Sequence, residues 1–107
     1  KKIEDFGQRI HKIKKLKLKK DSIIYIDEFG NIITSIRKIS PLVKKVTIHY
    51  KDREVKARFA QAFAEVKEGE FVVLRGSSGY LEIDKNRGSA ARSLGARVGE
   101  TIKLYPS

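Results

Sequence analysis

The sequence predicts an all-β fold: a small β-barrel with one short helix near its C-terminus, preceded by a basic helical or extended linker. Short runs of β-branched and aromatic residues recur from residue 23 to residue 105, with Gly and Asp between them. A single alanine-rich stretch interrupts these runs. A chain of 107 residues is the length of one domain, and such a chain buries about two-thirds of its unfolded surface.

The first 21 residues form a segment of their own. Their apolar residues recur at spacings of three and four, which predicts a helix with one apolar stripe: Ile3, Phe6, Ile10, Ile13 and Leu16. We therefore interpret residues 1–21 as an interdomain linker and residues 22–107 as the barrel domain. The chain starts with two lysines and contains no methionine, so we expect it to be a piece of a longer protein.

Seven strands are predicted in the barrel domain. "IIYID" and "NIITSI" flank an EFG turn, "KVTIHY" and "REVKAR" flank Lys51 and Asp52, "FVVLR" and "YLEID" flank "GSSG", and "TIKLY" is the last. The stretch "GSAARSLGARVGE" predicts the one helix, with Ser89 as its N-cap and Gly95 as its end.

The charge and the composition exclude several classes of protein. The net charge is +11, but residues 1–20 hold nine Lys or Arg against two acids, and the rest hold fifteen against eleven. The excess therefore belongs to the linker and not to one face of the domain. The absence of cysteine excludes disulfides and thiolate zinc sites. No apolar run is long enough to span a bilayer, and no signal peptide is visible.

The stretch "YIDEFGNIITSIR" allows two interpretations. Gly30 adopts positive φ easily, so the stretch can be an ordinary hairpin turn, with Asp27 as a turn carboxylate and Phe29 in the core. The alternative is a ligand-binding edge, in which Asp27 holds an ammonium group and Asn31 pairs with a base. An Asn side chain offers both a donor and an acceptor, as the edge of adenine requires.

A second candidate site is "GSSGYLEIDKNRG". Two serines between two glycines leave backbone N–H groups open to a carboxylate or a phosphate, although the commoner outcome is an ordinary hairpin loop. The glycine spacing excludes a Walker loop. His11 lies in the basic linker, and His49 is predicted on a solvent-exposed face, without a neighbouring acid at metal-ligand or triad spacing. We predict no metal site and no catalytic histidine.

Together the two motifs closely resemble the C-terminal domain of the SAM hydroxide adenosyltransferases. These are S-adenosyl-L-methionine hydrolases that share a superfamily with the fluorinase and the chlorinase. The resemblance covers nearly the whole chain. It implies a parent enzyme with an N-terminal α/β domain, absent here, as a rule assembled as a homotrimer. The substrate would lie between the N-terminal domain of one subunit and the C-terminal domain of its neighbour.

The resemblance also implies a reaction and a location. Hydroxide attacks C5′ of the ribose and displaces methionine, so SAM gives adenosine and L-methionine. SAM is the substrate, and no cofactor is expected. The water-activating residues belong to the absent domain, so this chain alone should be inactive and should carry no catalytic residue. We expect a cytoplasmic protein, without membrane contact and without nucleic acid as a partner.

Roles for individual residues follow from the same resemblance. Asp27 would hold the methionine ammonium group, Asn31 would pair with adenine, and Phe29 would pack beside the base. Serine at position 78, where the halogenating members carry Arg, favours a hydrolase. The remaining substrate-binding residues are Phe63, stacked on adenine, Ser77 and Ser78 at the methionine carboxylate, and Lys85, Asn86 and Arg87 near the adenine amino group.

Two other functions remain open. A small basic β-barrel can bind RNA, and the net charge of +11 fits one. The predicted strands lack a row of exposed aromatic rings for base stacking, which counts against it. A bare oligomerisation domain is the third interpretation, and it would assemble without any ligand.

Overall fold

The fold was obtained as a computed structural model, which describes residues 20–37, 39, 44–60, 67–76 and 79–107. The predicted linker, residues 1–21, lies almost entirely outside the described residues, so the division into linker and domain stays a prediction. Phe63, Ser77 and Ser78 also lie outside them.

All seven predicted strands are present, with boundaries within a few residues of those predicted. They are β1 (Ile23–Ile26), β2 (Ile32–Thr34), β3 (Lys45–Tyr50), β4 (Arg53–Phe59), β5 (Phe71–Arg75), β6 (Leu81–Lys85) and β7 (Lys103–Pro106). The predicted helix is α1 (Ala90–Leu94).

The strands form one curled sheet in the order β1-β2-β6-β5-β4-β3-β7. All pairs are antiparallel except β4–β5, which is parallel. The two ends of the sheet approach each other: Ser22 forms an isolated bridge with Thr101, and the Ile23 N–H donates to the Glu100 carbonyl at 2.9 Å. The sheet is thus a half-barrel, which confirms the predicted all-β, barrel-like fold.

The main core lies on the face of the sheet that α1 covers. Strand alternation directs every second side chain to this face, as Val46, Ile48 and Tyr50 of β3 show. Ala90, Ala91 and Leu94 of α1 complete the core. A smaller set of apolar side chains lies outside this main core: Ile24, Ile33 and Tyr80 form one cluster, and Ala60 and Val72 form another.

Both predicted ends of α1 are confirmed. The Ser89 hydroxyl accepts the Arg92 N–H at 3.0 Å, which satisfies one of the free donors of the first turn. Gly95 ends the helix in the left-handed conformation, with φ of 71°, and its N–H bonds back to carbonyls of the last turn.

Glu100 connects the loop after α1 to the β3–β4 turn. Its carboxylate accepts the Tyr50 hydroxyl and the Arg97 N–H and lies 3.0 Å from the Lys51 ammonium group. These contacts, the Tyr50 bond first, lower the pKa of Glu100 from 4.5 to about 2. The ionised carboxylate is therefore favoured in the folded state.

Glu100→Gln is expected to lower stability at pH 7 and to have less effect near pH 2. Because the folded pKa is depressed, the carboxylate contributes stability above pH 4.5, and this contribution is lost as the pH falls towards 2. Urea denaturation of both proteins at pH 7 and near pH 2 tests this. Glu54→Gln, at an exposed surface pair, is the control and should change little at either pH. A pH-independent effect of Glu100→Gln would rule out a role for its ionisation.

Candidate functional site

The turn between β1 and β2 is organised by the Asp27 side chain. Its Oδ1 accepts the backbone N–H groups of Phe29 and Asn31, both at 2.9 Å. Its Oδ2 accepts the side-chain Nδ2 of Asn31 at 3.0 Å. This is an Asx-type turn, so the interpretation of Asp27 as a turn carboxylate is confirmed. The two residues also hydrogen-bond to each other, and the ligand-binding interpretation stays a prediction.

Phe29 corrects one detail of the hairpin-turn interpretation. That interpretation placed Phe29 in the core, whereas 67% of its surface is exposed. The reason is its position at the tip of the turn, where its backbone N–H donates to the Asp27 side chain and most of its surface is accessible to solvent. Its role beside adenine stays a prediction.

The turn packs directly against the second sequence motif. Gly30 has φ of +84°, and a Cβ placed on it would lie 1.9 Å from the Ser89 hydroxyl oxygen. The Gly30 carbonyl accepts the Ala91 N–H at 2.9 Å. Only glycine satisfies both the backbone conformation and the close approach. The "DEFGN" and "KNRGS" stretches are therefore in direct contact.

The three residues predicted near the adenine amino group lie in different environments. The Lys85 ammonium group donates to the Ser93 hydroxyl at 2.9 Å and lies 5.3 Å from the centre of the Phe71 ring, so it packs against α1. Asn86 is held by its backbone, whose N–H donates to the Glu70 carbonyl at 3.0 Å. Arg87 is exposed and has a positive φ of 58°. Their contact with a ligand stays a prediction.

The "GSSG" loop is described at its two ends. The Gly76 N–H donates to the Tyr80 carbonyl at 2.8 Å, and the Gly79 N–H donates to the Gly76 carbonyl at 3.0 Å. The loop therefore joins β5 and β6 as a hairpin, as predicted.

Sequence reasoning missed a cation beside this loop. A terminal nitrogen of the Arg37 guanidinium lies 3.5 Å from the position of a Cβ on Gly79. The guanidinium also stacks on the Tyr80 ring, 5.0 Å from its centre, while the Arg37 carbonyl accepts Arg75 Nη1 at 3.1 Å. No ion pair of Arg37 occurs within the described part of the chain. The sequence gives no signal for this placement, because it depends on the pairing of β2 with β6.

Sequence reasoning also missed a buried acid on β6. Asp84 is 5% exposed, and its Oδ1 has no hydrogen-bond partner among the described residues. Burial, then the hydrogen bond and charge of Glu82, then the charge of Asp27 raise its pKa from 3.8 to about 9. The signal was present in "YLEID", where two acids at alternate positions must share one face.

His49 lies on a partly exposed face, as predicted, but an acid does lie beside it. Its Nε2 is 3.4 Å from a Glu54 oxygen, because the two residues are directly paired across β3 and β4. No three His, Cys, Asp or Glu side chains within the described ranges converge as metal ligands. Across the same residues, no helix is long and apolar enough to cross a membrane.

Comparison with known proteins places the two motifs in one family. The model of the SAM hydroxide adenosyltransferase C-terminal domain matches residues 21–103. An (R)-S-adenosyl-L-methionine hydrolase from Methanocaldococcus jannaschii is 30% identical over 106 residues, which cover 92% of this chain and 40% of the relative. A second one, from Thermus thermophilus, is 38% identical over 82 residues, or 77% of this chain and 30% of the relative. The chain therefore spans well under half of these relatives.

Solved structures agree with this comparison. An uncharacterised conserved protein from Thermotoga maritima superposes with a TM-score of 0.77 at 32% identity, over 84% of this chain and 40% of that one. A conserved hypothetical protein from Thermus thermophilus superposes with a TM-score of 0.63 at 37% identity, over 78% of this chain and 34% of that one.

Proposed function

The chain belongs to the SAM hydroxide adenosyltransferase C-terminal domain family, and from this premise we propose that it is the substrate-binding C-terminal domain of an S-adenosyl-L-methionine hydrolase. The parent enzyme would release adenosine and L-methionine by attack of hydroxide on C5′. Its catalytic residues would lie in an N-terminal α/β domain, and the site would form between the subunits of a homotrimer.

One observation above all supports this proposal. Gly30 of the first motif and Ser89, which directly follows the second motif, are far apart in sequence, yet they are in contact. The contact brings the Asp27 turn and the end of the second motif close enough for one ligand to touch both.

The side chains of Asp27 and Asn31 keep hydrogen-bonding atoms that the turn itself does not use and that a ligand could bind. Asn31 uses one of its two Nδ2 hydrogens on Asp27, which leaves the other hydrogen and its Oδ1 for a base edge. Asp27 Oδ2 accepts one hydrogen bond within the turn and has a second lone pair for an ammonium group. Both proposed contacts are therefore compatible with the internal hydrogen bonds.

Arg37 offers a positive charge for the methionine carboxylate. Its guanidinium stacks on Tyr80 and lies beside Gly79, and the resemblance assigns the methionine carboxylate to the two serines that precede Gly79 in the sequence. A guanidinium binds a carboxylate through two parallel N–H donors. The carboxylate of the Asp27 turn and the guanidinium beside Gly79 are complementary to groups of opposite charge on one ligand.

Binding of adenosine, L-methionine and SAM to this chain, followed by NMR chemical shifts and titration, tests the proposal. Asn31→Ala should lower the affinity for adenosine and SAM roughly tenfold to a hundredfold, or ~1–3 kcal/mol, because the edge of the base loses its hydrogen-bond partner. Asp27→Asn should lower the affinity for SAM and methionine but leave the affinity for adenosine unchanged, because only the ammonium group loses its charge-assisted hydrogen bond.

The melting temperature of each variant is the control, because both residues also hold the turn. If the two substitutions lower the melting temperature and leave every affinity unchanged, Asp27 and Asn31 serve the turn alone. Arg37→Gln is the matched variant at the proposed carboxylate site. It should weaken the binding of methionine and SAM but not that of adenosine.

One observation favours RNA binding as a second candidate. A groove beside β3, β4 and β5 is lined by three cations and one acid, together with an aromatic ring: Lys45, Lys56, Arg58, Glu70 and Phe71. Cationic grooves with aromatic rings bind single-stranded nucleic acid. Binding of an oligoribonucleotide that falls steeply with salt, with no response to adenosine, would favour this function over SAM binding.

A further inference from the structure

Glu82 and Asp84 lie on the face of β6 opposite the main core. Leu81 and Ile83 point into that core, so strand alternation directs the two acids to the other side. Asp84 is directly paired with Val72 on β5, which is fully buried. One oxygen of the Asp84 carboxyl group lacks a hydrogen bond among the described residues. Burying such a group in an apolar environment lowers the stability of the fold unless another group binds it.

Glu82 and Asp84 lie between the two loops assigned to the ligand. The Glu82 Oε1 is 3.4 Å from the position of a Cβ on Gly76, at the start of the "GSSG" loop. At the other end, Ile83 pairs with Ile32 of β2. The preceding residue, Asn31, therefore lies level with Asp84 and connects it to the Asp27 turn.

The charged groups that act on Asp84 are all acidic. Glu82 shares a hydrogen bond with it and Asp27 adds a further negative charge, while β5 presents only Val72 opposite. With a pKa of about 9, Asp84 keeps its proton at neutral pH. A positive charge beside a neutral carboxyl group favours its ionised form, so a bound cation would lower the pKa of Asp84 and release its proton.

We propose that Glu82 and Asp84 form an additional binding site for the cationic part of the ligand, its ammonium or sulfonium group, and that Asp84 releases its proton to solvent when this cation binds. The proposal rests on the proposed function, because the cation belongs to the same ligand. The described residues offer no set of three metal ligands, which favours an organic cation over a divalent metal ion.

Calorimetry of the whole chain at pH 8, in two buffers of different ionisation enthalpy, measures the proton release. SAM and S-methyl-L-methionine should each release a measurable fraction of a proton, up to about one per ligand bound, and adenosine should release none. If L-methionine also releases protons, the ammonium group is the cation. If only SAM and S-methyl-L-methionine release protons, the sulfonium group is the cation. Asp84→Asn should abolish the release, whereas the remote Glu54→Gln should preserve it.

Titration of the side-chain carboxyl carbons by NMR tests the same site without a ligand. The Asp84 signal should titrate far above the ordinary range of aspartate, and Glu82→Gln should move its midpoint down. This measurement also serves if Asp84→Asn fails to fold.

The failures of the two proposals can be told apart. SAM binding at the Asp27 turn without proton release would overturn the cation site and leave the proposed function intact. If SAM perturbs no signal of that turn, the proposed function fails. S-methyl-L-methionine then decides the cation site, which is overturned if this compound leaves the Asp84 signal and its midpoint unchanged. An ordinary Asp84 midpoint overturns it in every case.

Discussion

Gly30→Ala is expected to destabilise the domain by ~2–4 kcal/mol, the combined effect of positive φ and of overpacking. The φ of +84° is unfavourable for any residue with a Cβ, and the added carbon would lie 1.9 Å from the Ser89 hydroxyl oxygen and 2.6 Å from its Cβ. The turn would have to move away from α1, and the bond from Ala91 to the Gly30 carbonyl would be lost with it. Chemical denaturation of both proteins measures the effect.

Gly69→Ala is the matched control. Its φ is +85°, almost the same, but no atom lies within 4 Å of the added carbon. Gly69→Ala should therefore lower the free energy of unfolding only through the unfavourable positive φ, by ~1–2 kcal/mol. If the two variants lose equal stability, the approach of the turn to Ser89 is not tight, and the contact that joins the two motifs loses its significance.

Asp84→Asn is expected to stabilise the domain increasingly as the pH rises from about 4 to about 9. In wild type the unfolded chain ionises near the ordinary value of 3.8, whereas the folded protein holds the proton up to a pKa of about 9. The unfolded state therefore binds fewer protons over this interval, and wild-type stability falls by up to about 1.4 kcal/mol per pH unit. The amide cannot ionise, so the variant lacks this loss.

Denaturant unfolding at pH 5 and pH 8 measures the difference between the two proteins. Asp52→Asn, at an exposed residue of the β3–β4 turn, should leave the pH dependence of stability unchanged. If the gap between Asp84→Asn and wild type is the same at both pH values, the folded and unfolded states ionise alike at this position, and Asp84 is not held in its neutral form.

The local elements were predictable because local chemistry determines them. Ser89 and Gly95 are the residues that helix ends prefer, and they form the two ends of α1. Alternation in "KVTIHY" identified the buried side of β3. The parallel pairing of β4 with β5 was not predictable, because a hairpin turn in the local sequence specifies only antiparallel pairs.

The candidate site was predicted as a set of motifs, not as a geometry. The resemblance identified Asp27 and Asn31, but not that they hydrogen-bond to each other. Contacts between distant loops, such as that of Arg37 with Gly79, follow from strand order and leave no trace in either segment alone. Asp84 was overlooked because an acid at the end of a strand is usually exposed, and here the neighbouring strands bury it.

The position of β2 between β1 and β6 has a consequence for the order of synthesis. The β1–β2 hairpin leaves the ribosome well before residues 81–85, which supply the other partner strand of β2. At 5–20 residues per second the wait is roughly 3–10 seconds. During this time Ile32 and Ile33 present an unpaired apolar edge of the kind that attracts other chains. The stretch that begins the candidate ligand site is thus also a part of the nascent domain that needs protection.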